Sequence, residues 1–108
     1  MPTITKQNNY LTLINIFTVE PSNQQQLVEL LIKASQDSVI KIPGFISAAL
    51  HKSIDGTKVA MYAQWRSIED YQKMRNNPQA SPYLQQALTI AKFEPGMYEV
   101  VEIFTPTI

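Results

Sequence analysis

Two strand-like runs, Phe45–Lys52 and Lys58–Trp65, are joined by Ile54-Asp55-Gly56-Thr57, and this junction constrains the fold more than any other feature of the chain. An Asp-Gly pair between alternating apolar runs is a strong antiparallel hairpin signal. Ahead of it, residues 10–20 (YLTLINIFTVE) are rich in β-branched and large apolar side chains. They read as a strand with apolar residues on both faces, as expected of a central strand. Pro21-Ser22-Asn23 then supplies a breaker and an N-cap candidate. Leu27, Leu30, Leu31, Ala34 and Ser38 follow at helical spacing, which predicts a helix to about Ile40, and Pro43-Gly44 ends that connection. After the hairpin, Ser67 and Asp70 form a capping-box pattern with Asp in the usual Glu place. The helix it opens carries a stripe of Ile68, Tyr71 and Met74 or Arg75. Asn76-Asn77-Pro78 breaks that helix, and a second short one runs from Ser81 to about Ala91. Pro95-Gly96 then turns the chain into a last strand over 97–105.

The resulting order β-α-β-β-α-β is that of an α+β, ferredoxin-like domain: a four-stranded antiparallel sheet with helices on one face. At 108 residues the chain holds one such domain over 10–108, preceded by a loose arm at 1–9. Nine basic residues balance nine acidic ones, so no field attracts nucleic acid or an anionic membrane. The absence of cysteine removes disulfides, thiolate nucleophiles and Cys-ligated metals. A single histidine argues against a protein metal site. The polar start lacks the apolar run of a secretory signal, and no apolar stretch is long enough to span a bilayer, so a cytoplasmic protein is expected.

The register of the hairpin decides which side chains share a face. A two-residue turn at Asp55-Gly56 sets His51 opposite Ala60, beside Tyr62 and Gln64. A three-residue loop, Ile54-Asp55-Gly56, sets His51 opposite Val59, beside Met61 and Trp65. The three-residue loop is favoured because it gathers Ile46, Ala48 and Leu50 with Ala60, Tyr62, Ile14 and Ile16 into one apolar patch. No helix of this chain covers that patch, which predicts a homodimer packed sheet to sheet. The helix side then carries Asn15, His51, Met61, Trp65 and Tyr71 as a pocket of mixed polarity.

Pro43-Gly44-Phe45, His51 through Asp55-Gly56-Thr57, the run Tyr62-Ala63-Gln64-Trp65-Arg66-Ser67, and Tyr71 together resemble the antibiotic biosynthesis monooxygenase family. The likeness spans roughly 11–104. It implies a dimeric α/β barrel whose best-described members oxidise anthrone-like or naphthol-like polyketides to quinones with O₂ and no cofactor. By that resemblance the catalytic groups are His51, Trp65 and Tyr71. The family's asparagine, four residues before the tryptophan, is replaced by Met61, and its arginine falls near Gln85; with Asn15 these are the expected substrate-binding residues. A haem-degrading branch would use Asn15 and Trp65, but it needs an axial histidine beyond Ser67, and there is none.

Oxidation of a phenol by O₂ requires stabilisation of the substrate anion and exclusion of water. His51 is the expected proton acceptor. Trp65, Tyr71 and Asn15 are the expected hydrogen-bond partners of a developing oxyanion, and the two rings would stack on an aromatic substrate. The competing expectations are a dimer that binds a small aromatic ligand without turning it over, or an isomerase-like relative. Trp65 and Tyr71 also suit plain core packing.

Overall fold

The structure, a computed structural model, describes residues 10–75 and 82–107. The arm expected at 1–9 and the break at Asn76-Asn77-Pro78 lie outside the described residues. The order is β1 (Leu11–Val19), α1 (Gln24–Asp37), β2 (Phe45–Lys52), β3 (Lys58–Trp65), α2 (Ile68–Arg75), α3 (Pro82–Ile90), β4 (Ala91–Glu94) and β5 (Met97–Tyr98). Single 3₁₀ turns occupy Pro21–Asn23 and Val39–Lys41. The sheet is antiparallel in the order β2-β3-β1-β4, so β1 and β3 are central, as a ferredoxin-like fold requires.

Alternation along β1 sends Leu11, Leu13, Phe17 and Val19 to the helix side, where all four are buried. They do not form one continuous core. Phe17 and Val19 pack with Leu27, Leu30 and Leu31 of α1, Val59 of β3 and Ala87 of α3. Leu11 and Leu13 pack with Ala63, Trp65 and Tyr71. Leu27 is fully buried, and its burial contributes about 1.5–3 kcal/mol.

The hairpin register differs from the favoured expectation. His51 pairs with Ala60, and Lys52 with Val59. The pairing is the one the two-residue turn sets, with His51 opposite Ala60, although the loop itself is longer than either turn considered. Gly56 N–H donates to Ser53 O (3.2 Å), and Gly56 takes a left-handed φ of 85°. Ser53 N–H then bonds to Lys58 O (2.9 Å), which leaves four residues, 54–57, in the connection. Local side chains sustain the added residue. Asp55 Oδ1 accepts from Thr57 N–H (3.0 Å), Thr57 Oγ1 (2.8 Å) and Ser53 Oγ (2.8 Å). Gln24 Nε2, in the first turn of α1, donates to the Ser53 and Lys58 carbonyls, both at 3.0 Å.

A four-residue loop reverses the face of every β2 side chain relative to the three-residue one. Ala48 and Leu50 therefore face the helices. Ala49 and His51 join Ile14, Ile16, Ala60 and Tyr62 on the open face. A bulge between Phe45 and Ser47 returns Phe45 to the side of Trp65.

The last strand also lies elsewhere than expected. The edge position belongs to β4, with β5 continuing it, and 99–107 form no regular element. Ile16 pairs with Glu94 and Thr12 with Tyr98, while Ile14 N–H donates to Gly96 O (3.0 Å). One register thus runs through Pro95-Gly96. A proline on an edge strand loses only an outward N–H, so the pair that read as a turn instead carries the edge line on from β4 to β5.

Candidate functional site

Three features position the helix-face residues. Ser67 caps α2 as expected: its Oγ accepts Asp70 N–H (3.1 Å) and donates to Asp70 Oδ2 (3.0 Å). Arg66 grips the same carboxylate in bidentate fashion, Nε to Oδ2 at 2.7 Å and Nη2 to Oδ1 at 3.0 Å. The guanidinium hydrogen bonds, ahead of the Ser67 hydroxyl, hold the Asp70 carboxyl below its ordinary value against the opposing effect of desolvation. Gly44 closes on this cap. Its carbonyl accepts Arg66 N–H (2.7 Å), and a Cβ placed on it would stand 2.5 Å from Asp70 Cβ. The start of α2, and with it Tyr71 one turn later, is therefore locked to the end of β3.

Tyr71 meets Trp65 edge-on, with ring centroids 5.8 Å apart, and Phe45 also meets Trp65 edge-on, at 5.4 Å. Trp65 is 1% exposed and Tyr71 4%, so both are core side chains as well as candidate site residues. Asn15 lies on the same sheet face, directly opposite Met61, whose thioether packs against the Trp65–Tyr71 cluster. Across the sheet the row runs Leu50, Met61, Asn15 and, by register, Pro95. It passes between the two apolar clusters.

Asn15 Oδ1 is buried and has no hydrogen-bond partner, the one such side-chain atom among the described residues. A buried amide oxygen without a donor is costly, by about 1–3 kcal/mol, and marks where a ligand group could bind.

Asn15, Met61, Trp65 and Tyr71 thus share the helix side, as expected. His51 does not: it is exposed on the opposite face of the sheet, because the four-residue loop inverts β2. Gln85 is exposed on α3. Arg75, read from the sequence only as part of the α2 stripe, also meets Tyr71. Its Nη1 donates to the Tyr71 hydroxyl (2.9 Å), and its guanidinium carbon lies 5.7 Å from the centre of the Phe93 ring. The signal was the four-residue spacing from Tyr71, which places both on one helix face.

An open cleft of about 250 Å³ lies at the Leu11 end of β1, lined by Tyr10, Leu11, Ile68, Met97, Tyr98 and Glu99. It holds none of the expected site residues. The Asn15 row is the stronger candidate, since a buried acceptor there lacks a donor, whereas most of the cleft's lining is solvated. Among the described residues no three His, Asp or Glu side chains come together as metal ligands. None of the described helices is long and apolar enough to cross a membrane.

The comparisons agree with this architecture. Tetracenomycin-F1 monooxygenase of Streptomyces glaucescens is 36% identical over 107 residues, covering 99% of this chain and 96% of the relative. A monooxygenase from the gene ActVA-Orf6 of Streptomyces coelicolor, solved with the ligand nanaomycin D, superposes with a TM-score of 0.77 at 27% identity, over 90% of this chain and 92% of its own. SnoaB of Streptomyces nogalater, a cofactor-independent oxygenase solved as its N63A mutant, shares the fold with a TM-score of 0.76 at 17% identity, over 91% and 99% of the two chains. Residues 10–86 match the family description outright. The chain belongs to the antibiotic biosynthesis monooxygenase family.

Proposed function

We propose that this protein is a cofactor-independent monooxygenase that oxidises a small polycyclic phenol with O₂, acting in the cytoplasm. The observation that carries the reading is the unpartnered Asn15 amide oxygen on the face that also bears Met61, Trp65 and Tyr71. The full-length similarity to a monooxygenase supports it. An anthrone-type substrate, with a methylene between two rings, suits this chemistry. Its anion passes one electron to O₂, the radical pair recombines at carbon, and the resulting hydroperoxide loses water. One oxygen atom becomes the new carbonyl; the other leaves as water with the two methylene hydrogens. The substrate supplies all four electrons, so no external reductant is needed.

In this scheme Asn15 Oδ1 accepts a substrate hydroxyl, and the Tyr71 hydroxyl donates to the ionised oxygen. Trp65 and Phe45 keep water from the ring pair, and Met61 supplies a soft, apolar wall. With His51 on the opposite face, the substrate gives its proton to water.

The open face supports a homodimer. Ile14, Ile16, Ala49, Ala60 and Tyr62 lie there with no helix above them. Along 99–107, Val101 and Phe104 are 79% and 89% exposed, apolar surface suited to a second copy.

Oxygen uptake with 1,8-dihydroxyanthrone tests the enzyme reading, with Tyr71→Phe as the control. Metal-stripped protein should accelerate uptake, and loss of one donor should lower turnover about a hundredfold. Quenching of Trp65 fluorescence by the anthrone with no added uptake would leave a binding protein instead. Sedimentation at the monomer mass at micromolar concentration would remove the dimer.

A further inference from the structure

We propose that Arg75 is the cation of this site: it fixes the Tyr71 hydroxyl as a donor and itself holds an ionised substrate oxygen beside Phe93. The substrate's identity rests on the monooxygenase reading; the cation rests on the geometry of α2 and β4.

A phenol oxygen offers one proton and two lone pairs, whereas a guanidinium can only donate. The 2.9 Å bond from Arg75 Nη1 therefore fills an acceptor position on Tyr71 and leaves the phenolic proton to be given elsewhere. The guanidinium carbon stands 5.9 Å from the Tyr71 ring centre and 5.7 Å from that of Phe93, within cation–π range of both. The Phe93 ring is itself stacked on Phe17 at 4.8 Å, and the two are register partners on β4 and β1. Asn15 is two residues along β1 from Phe17 on the same face, so Asn15 and Phe93 are diagonal neighbours, roughly 7–8 Å apart. Arg75 thus bridges the two apolar clusters over the row that holds the unpartnered amide oxygen.

The surrounding charges do not consume it. Asp70, the buried carboxylate of α2, is held by Arg66 and Ser67. Glu69 and Lys73 of α2 are exposed, as is Arg75 itself, whose guanidinium nonetheless reaches back over the Tyr71 and Phe93 rings. Lys92 and Glu94 of β4 pair with Thr18 and Ile16 and so point to the opposite sheet face. Lys33 of α1 lies over the Tyr83 ring of α3. Arg75 forms no ion pair with a carboxylate among the described residues. At the position where resemblance expects a cation the chain has the neutral, exposed Gln85.

The test is a spectrophotometric titration of 2-hydroxyanthraquinone, whose phenolate absorbs at longer wavelength, bound to wild type, Arg75→Met and Arg75→Lys. Melting curves confirm that each variant is folded. The bound dye should ionise about one pH unit or more lower on wild type than on Arg75→Met, because a cation within a few ångströms favours the anion. Arg75→Lys should fall between them. Equal midpoints on wild type and Arg75→Met, or no dye binding by wild type, overturn the inference. Oxygen uptake with 1,8-dihydroxyanthrone separates the two readings. An Arg75-dependent midpoint without uptake keeps the cation and removes the oxygenase. Uptake with a midpoint indifferent to Arg75 does the reverse.

Discussion

Replacing Asn15 with leucine should make the protein more stable and less active. The two side chains share the same branching and heavy-atom count, and Asn15 Oδ1 is buried without a donor on a face otherwise lined by apolar side chains. Removing an unsatisfied buried acceptor recovers about 1–3 kcal/mol. The leucine would also join Phe17 and Leu13, its same-face neighbours on β1, and so connect clusters that the amide now separates. A net gain of about 1 kcal/mol raises the melting temperature of a domain this size by about 4–8 °C. Urea unfolding and calorimetry measure the gain, and oxygen uptake measures the loss of turnover. Destabilisation by more than about 1 kcal/mol would mean that a firmly held water satisfies the amide, as buried waters do. Unchanged turnover would mean that the amide does not meet substrate. Either result would refute the reasoning.

His51→Ala should leave anthrone turnover within about twofold of wild type, because removing a true general base costs about a hundredfold or more. Steady-state rates decide between them. Gly44→Ala should destabilise by about 1–3 kcal/mol from its φ of +94° alone, with the 2.5 Å approach to Asp70 adding to the loss, as read in denaturant midpoints. Hydrogen bonds from the Thr57 backbone and hydroxyl, then from Ser53, hold Asp55 at about 2 against an ordinary 3.8. A lowered carboxylate value stabilises the fold above the unfolded value and loses that effect as pH falls through the folded one. Asp55→Ala should therefore be less stable than wild type near neutrality. The difference should shrink between pH 3.8 and about 2 in urea unfolding at each pH.

Local pattern carried the element types further than it carried their alignment. The strand at 58–65, the Ser67–Asp70 cap and the Leu27–Ala34 stripe were legible because each depends on neighbours within four residues. The side to which His51 points was not. It depends on whether the loop holds an odd or an even number of residues, and the outcome rests on Ser53, Asp55 and Thr57 bonding one another and on Gln24 reaching across from α1. Pro95-Gly96 misled for a related reason. The pair suits a turn wherever both flanks must be paired, and an edge strand has one flank free. Arg75 stood in plain view on the Tyr71 stripe, but nothing local showed that Phe93 would arrive beneath it.

Pro95 also bears on how copies of the chain can meet. It sits midway along the outer rim formed by 91–98, where an incoming strand would seek a donor and find none. Ribbon-to-ribbon growth into fibres is therefore blocked along that rim. The rim along β2 carries no such proline, so the two edges of the sheet are not equivalent as places for an incoming strand.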